Sequence, residues 1–369
     1  MTVKSRFSAP IAQSLVIPGF VLTLMLLAGC GSSEHPEDVD GGAMATSPRE
    51  TSQTLLGLLD ATEEVTGERK RDELSDLIAL TKDDTIFTIS ARTVDFNGQA
   101  LVPRVTLVRA SNLFDGNDDG GDPLDRELTV VASTVQGVIG INEDLTLSLT
   151  VPYLVKSLKT RIAGQRTSLN SDGFGDIPLI AKWRFFKAPE LGGTTEVALL
   201  GGVKLPTGRF HERDVGMRLP RPLQPGSGSV DGLLGVAFTR LWDGGRWLIN
   251  ADTVFQLNTE AEDYRFGNRL RFDVGAQYRI HPERYESYDQ TTVNLLLEFN
   301  GEYGWKDELN GHDLDATGGL QLFVSPGVQV IVSEDLLFEV GVQIPVYRDL
   351  NGPQLGVDFR ATAGLRWRF

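Results

Sequence analysis

The carboxy-terminal residues alternate without a break. Val357, Phe359, Ala361, Ala363, Leu365, Trp367 and Phe369 are separated by Asp358, Arg360, Thr362, Gly364, Arg366 and Arg368. Period two belongs to an extended strand, whose successive side chains leave opposite faces. The same pattern recurs upstream. Leu270, Phe272, Val274, Ala276, Tyr278 and Ile280 oppose Arg269, Arg271, Asp273, Gln277 and Arg279; Trp247, Ile249, Ala251, Phe255 and Leu257 oppose Asn250, Asp252 and Gln256. Val293, Leu295, Leu297 and Phe299 oppose Asn294, Glu298, Asn300 and Glu302, and Leu336 through Val346 oppose Glu339 and Gln343. Faces with this much charge cannot form the dry interior of a sandwich; they must meet bulk water or a wet lumen. Each segment matches the roughly 9–11 residues that a strand tilted near 45° needs to cross a hydrocarbon layer. Backbone groups in lipid must all be paired, so such a sheet has to close.

The connections support closure. Ile141–Asp144, Ala188–Gly193, Asp243–Gly245 and Ser333–Asp335 are short, whereas Lys156–Gly173, Pro206–Ser229, Asn258–Gly267 and Gly304–Ala316 are long. Pro282–Asp289 and Asp349–Gln354 are intermediate. Short turns on one side and long loops on the other mark an up-and-down membrane barrel, and termini on the short-turn side require an even strand count. The spacing predicts an all-β, antiparallel transmembrane barrel over residues 85–369, with twelve strands and with ten or fourteen as alternatives. Its first strand is expected between Thr85 and Ala110. Tyr153, Trp183, Trp242, Trp247, Tyr303, Trp305 and Trp367 fall near strand ends, where aromatic girdles form. A mean hydropathy of −0.12 is compatible, because alternating strands average to neutral.

Residues 1–29 read as an export signal: Lys4 and Arg6 precede a nearly uncharged run from Ile11 to Leu27. Leu27-Ala28-Gly29-Cys30 then resembles the bacterial lipobox, and Cys30 is the single cysteine of the chain. The resemblance implies lipid attachment at Cys30 and an outer-membrane destination. The plain alternative is an ordinary signal peptide cleaved after Ala43-Met44-Ala45. Residues 30–53, rich in Gly, Ser, Pro and acid, read as a flexible tether. Residues 54–84 carry Leu55, Leu56, Leu58, Leu59, Leu74, Leu77, Ile78 and Leu80 at helical spacings and predict short amphipathic helices. These are placed as a lumen plug, a membrane-surface element or a packed periplasmic preface.

Three further stretches carry a family resemblance: Asp172-Gly173-Phe174-Gly175-Asp176, Lys204-Leu205-Pro206-Thr207-Gly208, and Leu223-Gln224-Pro225-Gly226-Ser227-Gly228-Ser229 with Val230-Asp231-Gly232. With the terminal Phe369, they make the region Leu128–Phe369 resemble the outer-membrane family named for the meta-pathway of phenol degradation. The resemblance implies a barrel that passes small aromatic or hydrophobic compounds. The lipobox departs from that family's plain signal peptide. A final aromatic on an alternating strand resembles the recognition feature for barrel assembly; Trp367 and Phe369 would carry it and engage the assembly machinery.

The inward charges Asp252, Arg269, Arg271, Asp273, Glu298, Glu302, Glu339, Asp358, Arg360 and Arg366 are either a pore lining that filters by charge or a salt-bridged ladder filling a narrow lumen. Asp115, Asn117 and Asp119, followed by Gly120, match the first half of a calcium loop, with Asp122 as a further ligand. Arg126 stands where the bidentate Glu belongs, so an acidic solvated loop is the plain reading. Pro206 and Gly208 end pairing and turn the chain. A chain with 50 acidic against 35 basic residues and a net charge of −15 is unsuited to nucleic acid. Catalysis is not expected: only His281 stands at a strand end, without a serine evidently beside it. The expected function is passage of small molecules, with an outer-membrane lipid environment and a small solute as partners. The rivals are a non-conducting structural or cation-binding surface barrel, and a soluble periplasmic β-sandwich lipoprotein.

Overall fold

The computed structural model describes residues 85–94, 96–285 and 290–369. The signal, lipobox, tether and helical segment expected over residues 1–84 lie outside the described residues.

Twelve long strands form the wall: β1 (Gln99–Ala110), β2 (Glu127–Asn142), β3 (Leu145–Ile162), β4 (Ile177–Glu190), β5 (Gly193–Leu205), β6 (Asp231–Trp242), β7 (Trp247–Leu257), β8 (Arg269–His281), β9 (Thr292–Gly304), β10 (Gly319–Ile331), β11 (Leu336–Gly356) and β12 (Phe359–Arg368). Each pairs antiparallel with the next. β1 pairs with β12 from Ala100↔Arg368 to Arg109↔Phe359 as well as with β2, so the sheet closes on itself. The expected barrel and its expected strand number are both present.

Closure turns the usual inside-out rule around. Val274, Leu297, Phe299, Val340 and Val346 are exposed on the outside, while Asn250, Asn294, Glu298, Gln329 and Glu339 are buried. No dry core of stacked sheets exists for the charged rows to enter. Outward aromatics ring both ends. Trp242 stacks on Trp247 at 6.2 Å and Trp247 contacts Tyr278 at 4.5 Å near the short turns, whereas Tyr153–Phe174 and Tyr303–Trp305 meet edge to face near the long loops. From Val293 to Tyr303 on β9 is about 33 Å of strand, or about 25 Å of height at barrel tilt, the thickness of an outer-membrane apolar band.

The termini of the wall lie with the short turns. The turn after β6 uses Asp243, Gly244 and Gly245, all at left-handed φ (55°, 58° and 69°), which the Gly-Gly pair accommodates. At the opposite end the long connections are built. Gln165–Phe174 continues the hairpin above β3. Loops 258–268 and 305–318 join through Tyr264↔Leu309 and Arg265↔Glu308 in a small four-stranded sheet. The expected first strand begins only at Gln99. Residues 85–94 are not wall at all: they lie inside the barrel.

A charge-rich flank, a charge-poor flank and a segment held in the lumen

The interior is two-sided. On β7 to β11 the inward rows carry buried charged and amide groups, Asn250, Asp252, Asp273, Glu298, Gln329 and Glu339 among them, interleaved with Leu248, Leu296, Phe323 and glycines. Arg271 Nε lies 3.0 Å from an Asp273 carboxylate oxygen, and its Nη2 lies 3.8 Å from Asp252. Asn300 donates to Asp273 at 3.0 Å and accepts from the Ser325 hydroxyl at 2.5 Å. Arg104 Nε donates to Glu339 at 2.6 Å, and Gln329 donates to its other oxygen at 3.3 Å. Nearer the long loops, Arg360 of β12 reaches Glu302 of β9 at 2.9 Å, and Arg269 flanks the same carboxylate at 3.4 Å. The Arg360 guanidinium also covers the Phe323 ring at 4.8 Å. Facing these strands, β2 to β6 present Val130, Ala132, Thr134, Ser148, Thr150, Leu154 and Ile180 inward, all half-buried. The charged groups of that flank are engaged: Lys182 donates to the Ser90 carbonyl at 3.0 Å, Lys156 to the Pro222 and Gln224 carbonyls at 2.9 and 2.7 Å, and Arg184, nearer the short turns, pairs with Glu196 at 3.1 Å.

Residues 85–94 bridge the two flanks: Thr85–Ile89 are fastened to β7 and β9, and Ser90–Val94 to β3, β4 and β6. The Glu298 carboxylate accepts the backbone N–H of Ile86 (3.0 Å), Phe87 (3.2 Å to each oxygen) and Thr88 (2.7 Å), and also the Thr88 hydroxyl at 2.6 Å. Successive N–H groups converging on one anion form a backbone nest; here the anion is supplied by the wall. Thr85 donates to the Thr88 carbonyl and accepts from Asn250, closing the turn. Asp252 takes the N–H of Ile89 at 3.0 Å, Thr239 that of Ala91 at 2.8 Å and Thr146 that of Val94 at 2.9 Å. The apolar contribution comes from Ala91, fully buried among Ala198, Leu200 and Ala237. Three inward glycines make the space: a Cβ on Gly275 would lie 2.9 Å from Thr85 and Thr88, one on Gly327 2.7 Å from Ile86, and one on Gly341 2.9 Å from Phe87.

Of the residues singled out from sequence, Asp252, Arg271 and Asp273 form one cluster and Arg269 and Arg360 meet at Glu302, while Glu298 and Glu339 stand separately on the same flank. Asp358 stands apart, at the long-loop rim, where Ser111 and Asn112 donate to it at 2.7 and 3.2 Å. Asn250 and Asn300 stand on the polar rows that the alternation predicts, beside the inward charges, whereas Arg104 and the buried Gln329 are not named by it. Asp115, Asn117 and Asp119 lie on the exposed hairpin Asn112–Gly116 and Asp118–Asp119. Asp122 is occupied by Arg126, which donates from its backbone at 2.7 Å and from its guanidinium at 2.9 and 3.1 Å. Burial raises the Asp122 pKa, but these bonds outweigh burial and hold it below the usual range. Among the described residues no group of three or more His, Cys, Asp or Glu is placed to hold a metal. Trp367 and Phe369 are exposed on the outer surface with rings 5.5 Å apart.

The three motif stretches, distant in sequence, meet at one point below the long loops. Gly175, Gly208 and Gly226 touch backbone to backbone, so that a Cβ on Gly208 would lie 2.7 Å from Gly226 and 2.9 Å from Gly175. Asp176 accepts from the Gly208 N–H, the Ser227 N–H and the Ser227 hydroxyl. Lys204 lies 3.2 Å from Asp176, donates to Ser227 at 2.6 Å and pairs with Asp231. This knot fixes the loop 206–230, whose Leu219 and Leu223 bury against Leu169, Leu128 and Leu158.

A search of solved structures finds a likeness to an outer membrane channel from Pseudomonas putida F1, with 13% identity and a TM-score of 0.58, covering 78% of this chain and 100% of that one. Weaker likenesses include the β domain of a Bordetella autotransporter (9% identity, TM-score 0.40, 74% of this chain, 100% of that one). The transport unit of an Escherichia coli autotransporter is similar at 10% identity (TM-score 0.40, 81% of this chain, 98% of that one). No curated protein sequence matches the chain. At such identities the likeness to the Pseudomonas channel shows a shared barrel fold. The family described as "Putative MetA-pathway of phenol degradation" matches residues 110–349, a span that holds the whole glycine knot and most of the wall, and the chain belongs to that family.

Proposed function

We propose that the protein is an outer-membrane passage for small, uncharged or weakly polar solutes, aromatic compounds among them, and that residues 85–94 are its stopper. The observation that carries this reading is the two-sided lumen. The flank of β7 to β11 is largely occupied by its own ion pairs and by the start of the segment, while the half-buried rows from Val130 to Ile180 offer small aliphatic and hydroxyl side chains, with Lys156 and Lys182 among them engaged by backbone carbonyls. A flat, weakly polar molecule slides along such a surface without breaking a buried charge pair, whereas a charged solute must enter beside the ladder. The stopper is fastened by backbone hydrogen bonds to wall side chains, a contact set that can be undone without unfolding the sheet.

Proteoliposome influx separates the possibilities. The variant lacking residues 85–94 is expected to admit neutral phenolic glycosides and small sugars faster than arylsulfonates of equal size, and the intact chain to admit all of them slowly. Equal, slow entry in both proteins would favour a non-conducting barrel. Lipid attachment at Cys30 belongs to the same proposal and is read by mass spectrometry of the mature amino terminus, where an unmodified start downstream of Cys30 would remove it. Trp367 and Phe369 are proposed as the assembly signal. Their joint replacement by Ser is expected to lower the amount of folded, heat-modifiable barrel in the membrane, and unchanged insertion would dismiss the assignment.

A further inference from the structure

The outward face of β1 to β3 changes character abruptly toward the long loops. Its last apolar row is Leu107, Val131 and Val155, which are register partners across the three strands. One pleat higher stand Arg109, Thr129 and Ser157, and one pleat higher again Glu127 and Lys159. Above these, Arg161 lies directly opposite Arg166 on the extension of the hairpin. Two residues of strand are about 7 Å, about 5 Å of height at barrel tilt. The interfacial layer on one side of a bilayer is about 5–7 Å thick. Arg109 therefore stands at headgroup depth, about 5 Å above the last apolar row, with Lys159 about 10 Å and Arg161 and Arg166 about 15 Å above that row, from where their long side chains can reach down to it.

Four cations share two carboxylates here. Arg109 and Lys159 lie 3.0 and 3.5 Å from Glu127, and Arg166 lies 3.7 Å from it. Arg161 and Arg166 lie 3.6 and 3.3 Å from Asp125. The four basic side chains stay 46–55% exposed, so the acids do not enclose them. Directly opposed like charges weaken a strand pair, and the Arg161↔Arg166 pair is relieved only in part, by Asp125 shared between the two and by Glu127 at 3.7 Å from Arg166. The excess of positive charge sits on a chain whose net charge is −15. An anion with several oxygens would complete the arrangement through forked guanidinium contacts.

We infer that Arg109, Lys159, Arg161 and Arg166 form a ledge that binds a phosphorylated lipid headgroup of the outer leaflet. The ligand class is a lipid phosphate: the acyl chains lie along Leu107, Val131 and Val155, and the headgroup phosphates meet the basic side chains one to three pleats above. The inference rests on the reading of the wall as membrane-spanning, and it is independent of whether the lumen conducts.

The test is native mass spectrometry of the full chain released from vesicles of phosphatidylcholine with bisphosphorylated lipid A. Wild type is expected to retain lipid A. R109Q/K159Q/R161Q/R166Q, checked for folding by heat-modifiable gel migration, is expected to retain it at least about tenfold less well. D125N/E127Q removes the competing acids and is expected to retain it more strongly, which keeps the test decisive if the fourfold variant folds poorly. Retention is expected to fall with ionic strength. Three results would overturn the inference: equal retention by all three proteins, equal retention of fully dephosphorylated lipid A, or displacement of the lipid by millimolar inorganic phosphate. The last would make the ledge a site for free phosphate. Absence of conductance, by contrast, would leave the ledge untouched.

Discussion

Glu298 is the residue on which the luminal segment depends most. Its carboxylate is fully buried and satisfied almost wholly by Ile86, Phe87 and Thr88. Hydrogen bonds to a charged group contribute about 1.5–3 kcal/mol each, and about 1.4 kcal/mol is a tenfold change in population. Glu298→Ala is therefore expected to speed amide exchange at Ile86–Thr88 by at least about tenfold in hydrogen-exchange mass spectrometry, while amides of β9 and β10 stay protected. Unchanged exchange at those amides would mean that the nest does not hold the segment. Gly341→Val acts from β11, two strands away on the same flank. Its added carbons meet Phe87 at less than contact distance, and overpacking of this kind costs about 1–3 kcal/mol. The same loss of protection is expected without any change in charge, so agreement between the two variants isolates occupancy of the lumen from electrostatics.

At the scale of elements, the loops are held by two fastenings of different kinds. The glycine knot ties loop 206–230 to the start of β4 through Asp176 and Lys204, with Asp231 only 1% exposed. Removing one partner of a buried pair strands the other charge, a loss of about 3–5 kcal/mol. Lys204→Met is expected to free the loop, and trypsin should then cleave after Arg209 or Arg213 several-fold faster while the barrel core resists; unaltered cleavage would show that the loop is held elsewhere. The second fastening is exposed. Glu262 of loop 258–268 meets Arg218 at 2.6 Å, Arg221 at 3.3 Å and His211. Arg218 first and His211 second hold its carboxyl down to a pKa of about 2. A carboxyl depressed in the folded state contributes stability above its unfolded value, and loses that contribution as pH falls through the folded one. The contact between the two loops is expected to persist at pH 3 and loosen only toward pH 2, as followed by the Glu262 carboxyl resonance. A midpoint near 4.5, the ordinary value, would contradict the cluster.

For the whole molecule, the wall was legible because its rule is local. Alternation in β8, β9 and β12 sets the face of every side chain, and the contrast of short Asp243–Gly245 with long Pro206–Ser229 sets up and down. The charges of the interior were legible for the same reason, since Asp252, Asp273, Glu298 and Glu339 fall on the inward period. Their partners were not. Glu302 meets Arg360 across β10 and β11, a chord of the closed sheet that no spacing encodes. Thr85–Val94 falls within the span where the sequence predicts the first strand. What placed it in the lumen was the absence of side chains at Gly275, Gly327 and Gly341, which single residues on three separate strands cannot announce. The glycine motifs were visible as motifs, yet their meeting at Asp176 and Lys204 needed the fold.

Whether residues 85–94 act as a luminal stopper is tested most directly by single-channel recording in planar bilayers. The intact barrel is expected to show rare, brief openings, and the protein lacking residues 85–94 to show long-lived openings of uniform amplitude, with Glu298→Ala in between. Silence from the shortened protein, correctly folded by its gel mobility, would contradict the account, as would indistinguishable traces from all three.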